Sequence, residues 1–387
     1  MSSHFVGPNS RVVALGAAGK LAHLSKDEIR NLPYPPDVLP GGRDVATPYG
    51  SIRVFEWGHE DGEKVLFLHG ISTPVIALGD LAHELAGKGY RVMLFDLFGR
   101  GYSDAPVDLP HDARLYTTQI LLVLASSPLT GWGSFHLVGY SLGGCLAASF
   151  ARYFPHRLRS LVLVAGSGLI RPRHVGWQSR LLYSRSGLLP EPLVRWLVRR
   201  RIRPAAADEP SLAGGPADIV AAESSGTTAQ GSGGNGDASG GRGFDSASIS
   251  KDRPHVSVSH VVRWQIDHHE GFIGAFLSTI RYAPIYAPQG DWEVLAHILA
   301  ERRGADKKME TRPRGLEAGR VLMILGKDDP VVVPSETIGD AEAVLGSDGV
   351  EAVVLDAGHE VNIKCSSEVC GHIDRFIHSG RSVQQTD

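Results

Sequence analysis

The stretch "FHLVGYSLGGCLA", residues 135–147, ends an apolar run in Gly-Tyr-Ser-Leu-Gly and continues at once in small residues. A short continuous apolar run reads as a strand buried on both faces, and the small residues after it as a closely packed helix. Ser141 therefore stands at a corner, with Gly139 and Gly143 two residues to either side. It is either a nucleophile or an ordinary turn residue. The chain has 46 glycines in 387 residues. At that frequency about 1–2% of serines match G-x-S-x-G by chance, so the pattern needs partners and context.

The surrounding sequence supplies the context. "KVLFLHG" (64–70), "YRVMLFDLFG" (90–99) and "SLVLVAGSG" (160–168) are further short apolar runs, while "SIRVFEW" (51–57) alternates as a strand with one exposed face should. Helical stretches lie between them: "LGDLAHELAGKG" (78–89), "RLYTTQILLVLAS" (114–126) and "LGGCLAASFARYFP" (142–155). Strand and helix alternate, which predicts an α/β fold with a mostly parallel open sheet flanked by helices. The alternation stops near residue 170 and resumes with "RVLMILGKDDPVV" (320–332), "VEAVVLDAGHE" (350–360) and a final helix at about 366–378. The expected organisation is an N-terminal arm (1–42), a core (43–170 and 311–387) and a helical lid (171–310) inserted before the later strands. A short helix is expected near Ser25–Asn31, with Ser25 as its cap and Glu28 three residues on. Residues 205–253 are Gly/Ser-rich and nearly free of aromatics, which predicts a disordered insertion.

Composition narrows the function classes. An apolar fraction of 42% can build a sizeable core, and a net charge of −3 gives no reason to expect nucleic acid as a partner. The run Arg199–Arg203 reads as a solvated helix C-terminus favoured by the helix dipole. Three cysteines form no disulfide framework; they read as reduced thiols and suggest a cytoplasmic protein. No secretory signal is visible, and no apolar run approaches the ~20 residues that span a bilayer. No metal or cofactor is expected. "GAAGK" (16–20) lacks the spacing of a phosphate loop, and Cys365, Cys370 and His372 lack a second ligand pair. In "DHHE" (267–270) the adjacent histidines would point about 100° apart on a helix, so a loop or solvent role is expected.

A serine hydroxyl needs a base, and the base needs an orienting carboxylate. Two later strand ends supply both. "VLMIL" runs into Gly326-Lys327-Asp328-Asp329-Pro330, and "EAVVLD" runs into Ala357-Gly358-His359. The chain order is serine, acid, histidine. The amide of Leu142, at a helix N-terminus, can face a developing oxyanion.

Five motifs in this order resemble the α/β-hydrolase superfamily: "FLHGIS" (67–72), "DLFGRGYSD" (96–104), "GYSLGG" (139–144), "GKDDPVVVP" (326–334) and "DAGHE" (356–360). The resemblance covers about 43–170 and 256–378 and implies that fold. It implies Ser141 as nucleophile, His359 as general base and Asp329 as the acid, with Asp328 as the alternative. It implies oxyanion amides from Ile71 and Leu142, a structural His69 side chain, and Asp96 and Ser103 as holders of the "DLFGRGYSD" loop. Cys145 is expected to be a small buried core residue. A serine rather than an aspartate at the elbow disfavours dehalogenase and epoxide-hydrolase activities. The motifs look more like the branch of small-ester hydrolases, carbon–carbon bond hydrolases and perhydrolases. "HEGFIGAFLSTIRYAP" resembles the helix by which that branch's lid rejoins the core. The expected activity is hydrolysis of a small-molecule carboxylic ester through an acyl-enzyme. One alternative is carbon–carbon cleavage of a ring-fission diketone, with Arg180, Arg185 or Arg263 meeting the substrate's carboxylate. Another is a catalytically silent binding protein, which the retention of all three residues argues against. The sequence carries no signal of oligomeric state.

Overall fold

The computed structural model describes residues 12–174, 177–204, 241–286, 289–304 and 315–382. Two short strands, β1 (Val13–Ala14) and β6 (Ala105–Pro106), pair as a small antiparallel ribbon. The main sheet holds β2 (Gly42–Thr47), β3 (Gly50–Gly58), β4 (Lys64–Leu68), β5 (Arg91–Phe95), β7 (Phe135–Tyr140), β8 (Leu158–Val164), β9 (Val321–Gly326) and β10 (Val350–Leu355). Their order is β10-β9-β8-β7-β4-β5-β3-β2. β2, β3 and β5 pair antiparallel; every other neighbouring pair is parallel.

The continuous apolar runs explain the centre of this sheet. Every residue of β4, β7 and β9 is buried, as strands covered on both faces require. One face carries the helices Gly79–Gly87 and Ser366–Ser382, through Leu81, Leu85, Val369 and Ile373. The other carries Ala113–Ala125, Leu142–Tyr153, Gln289–Gly304 and Pro334–Leu345. β3 departs from its alternating pattern, because Arg53 and Glu56 are both buried. Each finds opposite charge: Arg53 bonds Asp44 at 2.7 Å, and Glu56 meets Arg43 at 2.9 Å and Arg91 at 3.3 Å. Pairing offsets the burial cost that the pattern alone says a polar face must avoid.

Between β8 and β9 the chain leaves the sheet through the helices Trp177–Leu182, Glu191–Ile202, Gly241–Ser246, Val258–His268 and Phe272–Tyr282. The outgoing and returning ends are zipped together. Gly168 N–H donates to Ile285 O at 3.0 Å, and Ile170 pairs with Tyr286 in a parallel bridge.

Three expectations change. The helix Gln289–Gly304 falls within the expected lid (171–310), yet it packs on the core. Trp292, Leu295 and Leu299 join the cluster of Cys145 and Ala148, and Asp291 accepts from Ser149 Oγ at 2.7 Å. The expected disordered stretch 205–253 lies outside the described residues up to 240. From 241 it is ordered, anchored by the buried Phe244 and Ile249 that the Gly/Ser count hides. The N-terminal arm is partly core. Tyr34 is fully buried and its hydroxyl donates to Asp96 at 3.0 Å. The Ser25 cap forms with Glu28 as its capping-box partner.

Candidate active site

β7 ends at Tyr140 and the next helix begins at Leu142, so Ser141 alone makes the corner. Its backbone sits at φ 50°, ψ −118°. A non-glycine residue held there costs on the order of 1–3 kcal/mol and persists only where its surroundings enforce it. Here they do. Ser141 O accepts from Gly144 N–H (2.8 Å), Ser167 N–H (2.9 Å) and Ser167 Oγ–H (3.1 Å), while Ser141 N–H donates to Val164 O (3.1 Å). The flanking glycines let the corner close. A Cβ on Gly143 would collide with Leu68 O, and one on Gly139 with Gly143 O.

Asp329 and His359 follow adjacent parallel strands. β9 and β10 pair up to Gly326 and Leu355, and the loops beyond stay joined by Lys327 N–H to Leu355 O (2.8 Å) and Asp328 N–H to Ala357 O (3.0 Å). His359 Nδ1 lies 2.8 Å from Asp329 Oδ2, and His359 Nε2 lies 2.9 Å from Ser141 Oγ. A carboxylate can only accept, so Nδ1 carries the proton and Nε2 is free to accept from the hydroxyl. Asp329 Oδ1 is held by Val331 N–H (2.8 Å) and Val332 N–H (2.9 Å). Asp328 is exposed, whereas Asp329 and His359 are buried. Tyr140 Oη donates to His359 O at 3.0 Å, and the Phe244 ring meets the imidazole edge-on at 5.6 Å between centroids. Phe244 belongs to the segment read as disordered, and nothing in its local sequence marks it as a neighbour of the histidine.

The loop after β4 lies beside the serine. A Cβ on Gly70 would come within 3.3 Å of Ser141 Cβ. Leu142 opens its helix, so its N–H has no intrahelical acceptor; Ile71 is half-buried in the facing loop. His69 is fully buried and neutral: its Nε2 accepts from Leu97 N–H (2.8 Å), its Nδ1–H donates to Gly70 O (2.7 Å), and burial pulls its pKa down to about 3. Asp96 accepts from Val75 N–H (3.1 Å) and Tyr102 N–H (2.9 Å), and Ser103 Oγ donates to Asp96 O (2.6 Å), which fastens the 96–104 loop. Burial raises the Asp96 pKa to about 6.

Other singled-out residues find different places. Cys145 is buried with its thiol on Leu142 O at 3.1 Å, and burial pushes its pKa up to about 12. His269 lies in the expected loop, just past the helix Val258–His268, but not in solvent. It is buried, its Nε2–H donates to Ser103 O (2.8 Å), and its Nδ1 accepts from Gly271 N–H (3.0 Å). Arg180 donates to Pro172 O at 2.8 Å; Arg185 donates to Arg281 O and lies 4.5 Å over the Tyr282 ring; Arg263 is half-buried. Among the described residues no group of three His, Cys, Asp or Glu side chains could hold a metal, and no helix is long and apolar enough to cross a membrane.

Comparison with known proteins bears on the fold and the family. A serine hydrolase-like protein of Mus musculus is 29% identical over 121 residues, 31% of this chain and 38% of that protein. A 2-hydroxy-6-oxononadienedioate/2-hydroxy-6-oxononatrienedioate hydrolase of Burkholderia vietnamiensis is 35% identical over 107 residues, 27% of this chain and 36% of that protein. The matched stretches thus span well under half of these relatives. Among solved structures, an esterase from Rhodococcus superposes with a TM-score of 0.54 at 18% identity, covering 88% of this chain and 99% of that one. That likeness shows the fold. Residues 64–364 match the family described as alpha/beta hydrolase fold. With a match running from β4 through the histidine loop, on a sheet of this order, the chain belongs to the α/β-hydrolase fold family.

Proposed function

We propose that this protein cleaves carboxylic esters of small molecules through an acyl-enzyme carried on Ser141. The observation that supports the reading is the relay of 2.8 Å and 2.9 Å from Asp329 through His359 to a serine held on a strained corner. His359 Nε2 takes the Ser141 proton as Oγ attacks the ester carbonyl. The carbonyl oxygen becomes an oxyanion facing the amides of Ile71 and Leu142. The tetrahedral adduct collapses as His359 returns the proton to the leaving alcohol. Water then attacks the acyl-enzyme, giving its proton to His359, and the acid leaves as Ser141 is restored. Asp329 keeps the imidazole in the required tautomer and stabilises the imidazolium. The helices inserted between β8 and Gln289 serve as a lid, whose side chains set the acyl and alcohol preference. Three buried free thiols, Cys145, Cys365 and Cys370, suit a reducing cytoplasm.

The Burkholderia relative's name favours a second reading, carbon–carbon cleavage by the same serine. A fluorophosphonate probe tests the chemistry: wild type labels and Ser141→Ala does not. Unlabelled, folded wild type sinks the serine reading, and label persisting in Ser141→Ala moves it to another serine. Turnover of an ester panel set against a vinylogous ring-fission diketone separates the two reactions.

A further inference from the structure

Three successive carbonyls of the oxyanion loop are each tied from behind. Gly70 O accepts from His69 Nδ1–H at 2.7 Å, Ile71 O from Arg100 Nε–H at 2.7 Å, and Ser72 O from Gln265 Nε2–H at 2.8 Å. Gly70 O and Ile71 N–H belong to one planar peptide, so fixing the oxygen fixes the direction of the amide. Arg100 fixes the next peptide and Gln265 the one after. The backbone on both sides of Ile71 is therefore pinned before any substrate arrives.

Two of these anchors are unusual. Arg100 is fully buried, and among the described residues no carboxylate pairs with it. Its other donors go to Phe98 O (3.1 Å) and Thr279 Oγ1 (3.1 Å), and its guanidinium lies 5.8 Å from the Phe272 ring centroid. A buried cation without a counter-ion is expensive, and a neutral residue could fill the space at less cost. Its charge lies directly behind the loop whose amide would meet the developing oxyanion. Gln265 is also fully buried, and it belongs to the inserted helix Val258–His268 rather than to the core. Its Oε1 accepts from Gly101 N–H at 2.8 Å while its Nε2 holds Ser72. One side chain of the insertion thus bridges the oxyanion loop and the 96–104 loop.

We propose that Arg100 and Gln265 are positioning residues for the oxyanion hole, so that full turnover requires the inserted helix Val258–His268 to be seated on the loop. The proposal rests on the acyl-enzyme reading above. It differs from a purely structural role in what it predicts. A residue that only fastens the insertion changes stability and substrate affinity. A residue that aims an oxyanion donor changes the transition state.

Gln265→Met keeps the volume and removes both hydrogen bonds. Arg100→Met does the same for the guanidinium, and Arg100→Lys retains a cation able to reach Ile71 O. Expected for Gln265→Met and Arg100→Met is a loss of about tenfold to hundredfold in kcat with KM within about threefold. A trifluoromethyl ketone, whose adduct places an oxyanion in the hole, weakens in parallel with kcat/KM. Arg100→Lys recovers part of the loss. The proposal is overturned by Met variants with wild-type circular dichroism and thermal midpoint whose kcat stays within about threefold, or whose ketone affinity is unchanged. It is equally overturned if lost activity merely follows a lost folded fraction. Fluorophosphonate labelling of wild type keeps the two failures apart: unlabelled wild type removes the acyl-enzyme reading, whereas labelled wild type with unaffected Met variants removes only the positioning role.

Discussion

Replacing Asp329 by asparagine tests the relay with almost no change of shape. The two oxygens of Asp329 have different tasks. Oδ1 accepts from two backbone amides, Val331 and Val332, and Oδ2 accepts from His359 Nδ1–H. Asparagine has one acceptor and one donor end. Two amide hydrogens demand the acceptor, so its oxygen stays on Val331 and Val332 and its NH₂ faces the imidazole. Nδ1 must then accept, and the proton moves to Nε2, the atom 2.9 Å from Ser141 Oγ. In that tautomer the histidine cannot take the serine proton. The expected loss in kcat is about 10⁴-fold, or roughly 5 kcal/mol, with KM within a few-fold. The assay is steady-state hydrolysis of a p-nitrophenyl ester, with Asp328→Asn as the exposed control at wild-type rate. A folded Asp329→Asn enzyme within tenfold of wild type would refute the reasoning, because the tautomer argument leaves no room for it.

Acid should unfold the protein steeply. Burial holds His69 and His111 near about 3 and His269 near about 4, so all three are neutral in the fold and charge on unfolding below their ordinary 6.5. Asp96, raised to about 6 by burial, acts in the opposite sense between its ordinary 3.8 and that value, since there the folded state holds the extra proton. Near pH 5 these four groups leave a net uptake of about two protons on unfolding, so stability falls by about 3 kcal/mol per pH unit as pH drops. Urea midpoints between pH 7 and pH 5 measure this, and a flat profile contradicts it. Gly143→Ala drives a Cβ into Leu68 O and should cost on the order of 1–3 kcal/mol in urea unfolding, with activity lost as the elbow shifts. Burial keeps the thiols of Cys145 and Cys370 protonated, near about 12 and about 11. Iodoacetamide at pH 8 should therefore leave the native enzyme active and modify these thiols only in denaturant; rapid inactivation of folded protein would show that burial does not protect them.

What the sequence made legible was local or repeated. Strands covered on both faces leave unbroken apolar runs, so β4, β7 and β9 could be read directly. Ser141 and Asp329 sit just past two of these runs and His359 past the partly exposed edge strand β10, and chain order related them. What escaped was pairing across distance. Gln265 is an unremarkable polar residue on an amphipathic helix until the fold sets it between Gly101 and Ser72. Arg100 reads as a loop cation in "GRG", where solvent is the ordinary expectation, and only the tertiary structure buries it. Trp292 and Leu295 looked like part of the lid because no local signal says which face of the molecule a helix returns to. The paired burial of Arg53 and Glu56 was hidden for the same reason, since their partners lie on other strands or further along the chain.

The zipped ends of the insertion bear on how such a protein can change. The chain leaves the sheet near Gly168 and returns near Ile285, and these two points already touch. The described residues between them meet the core at a few further points, among them Gln265 on Ser72 and Phe244 against His359. The entropy of closing a loop grows only with the logarithm of its length, so doubling the excursion costs the sheet about 0.6 kcal/mol. The excursion can therefore lengthen, shorten or be rewritten with little penalty to the β8–β9 pairing. What constrains it is the need to return Gln265 to Ser72 and Phe244 to His359, a requirement of a few contacts rather than of the whole segment.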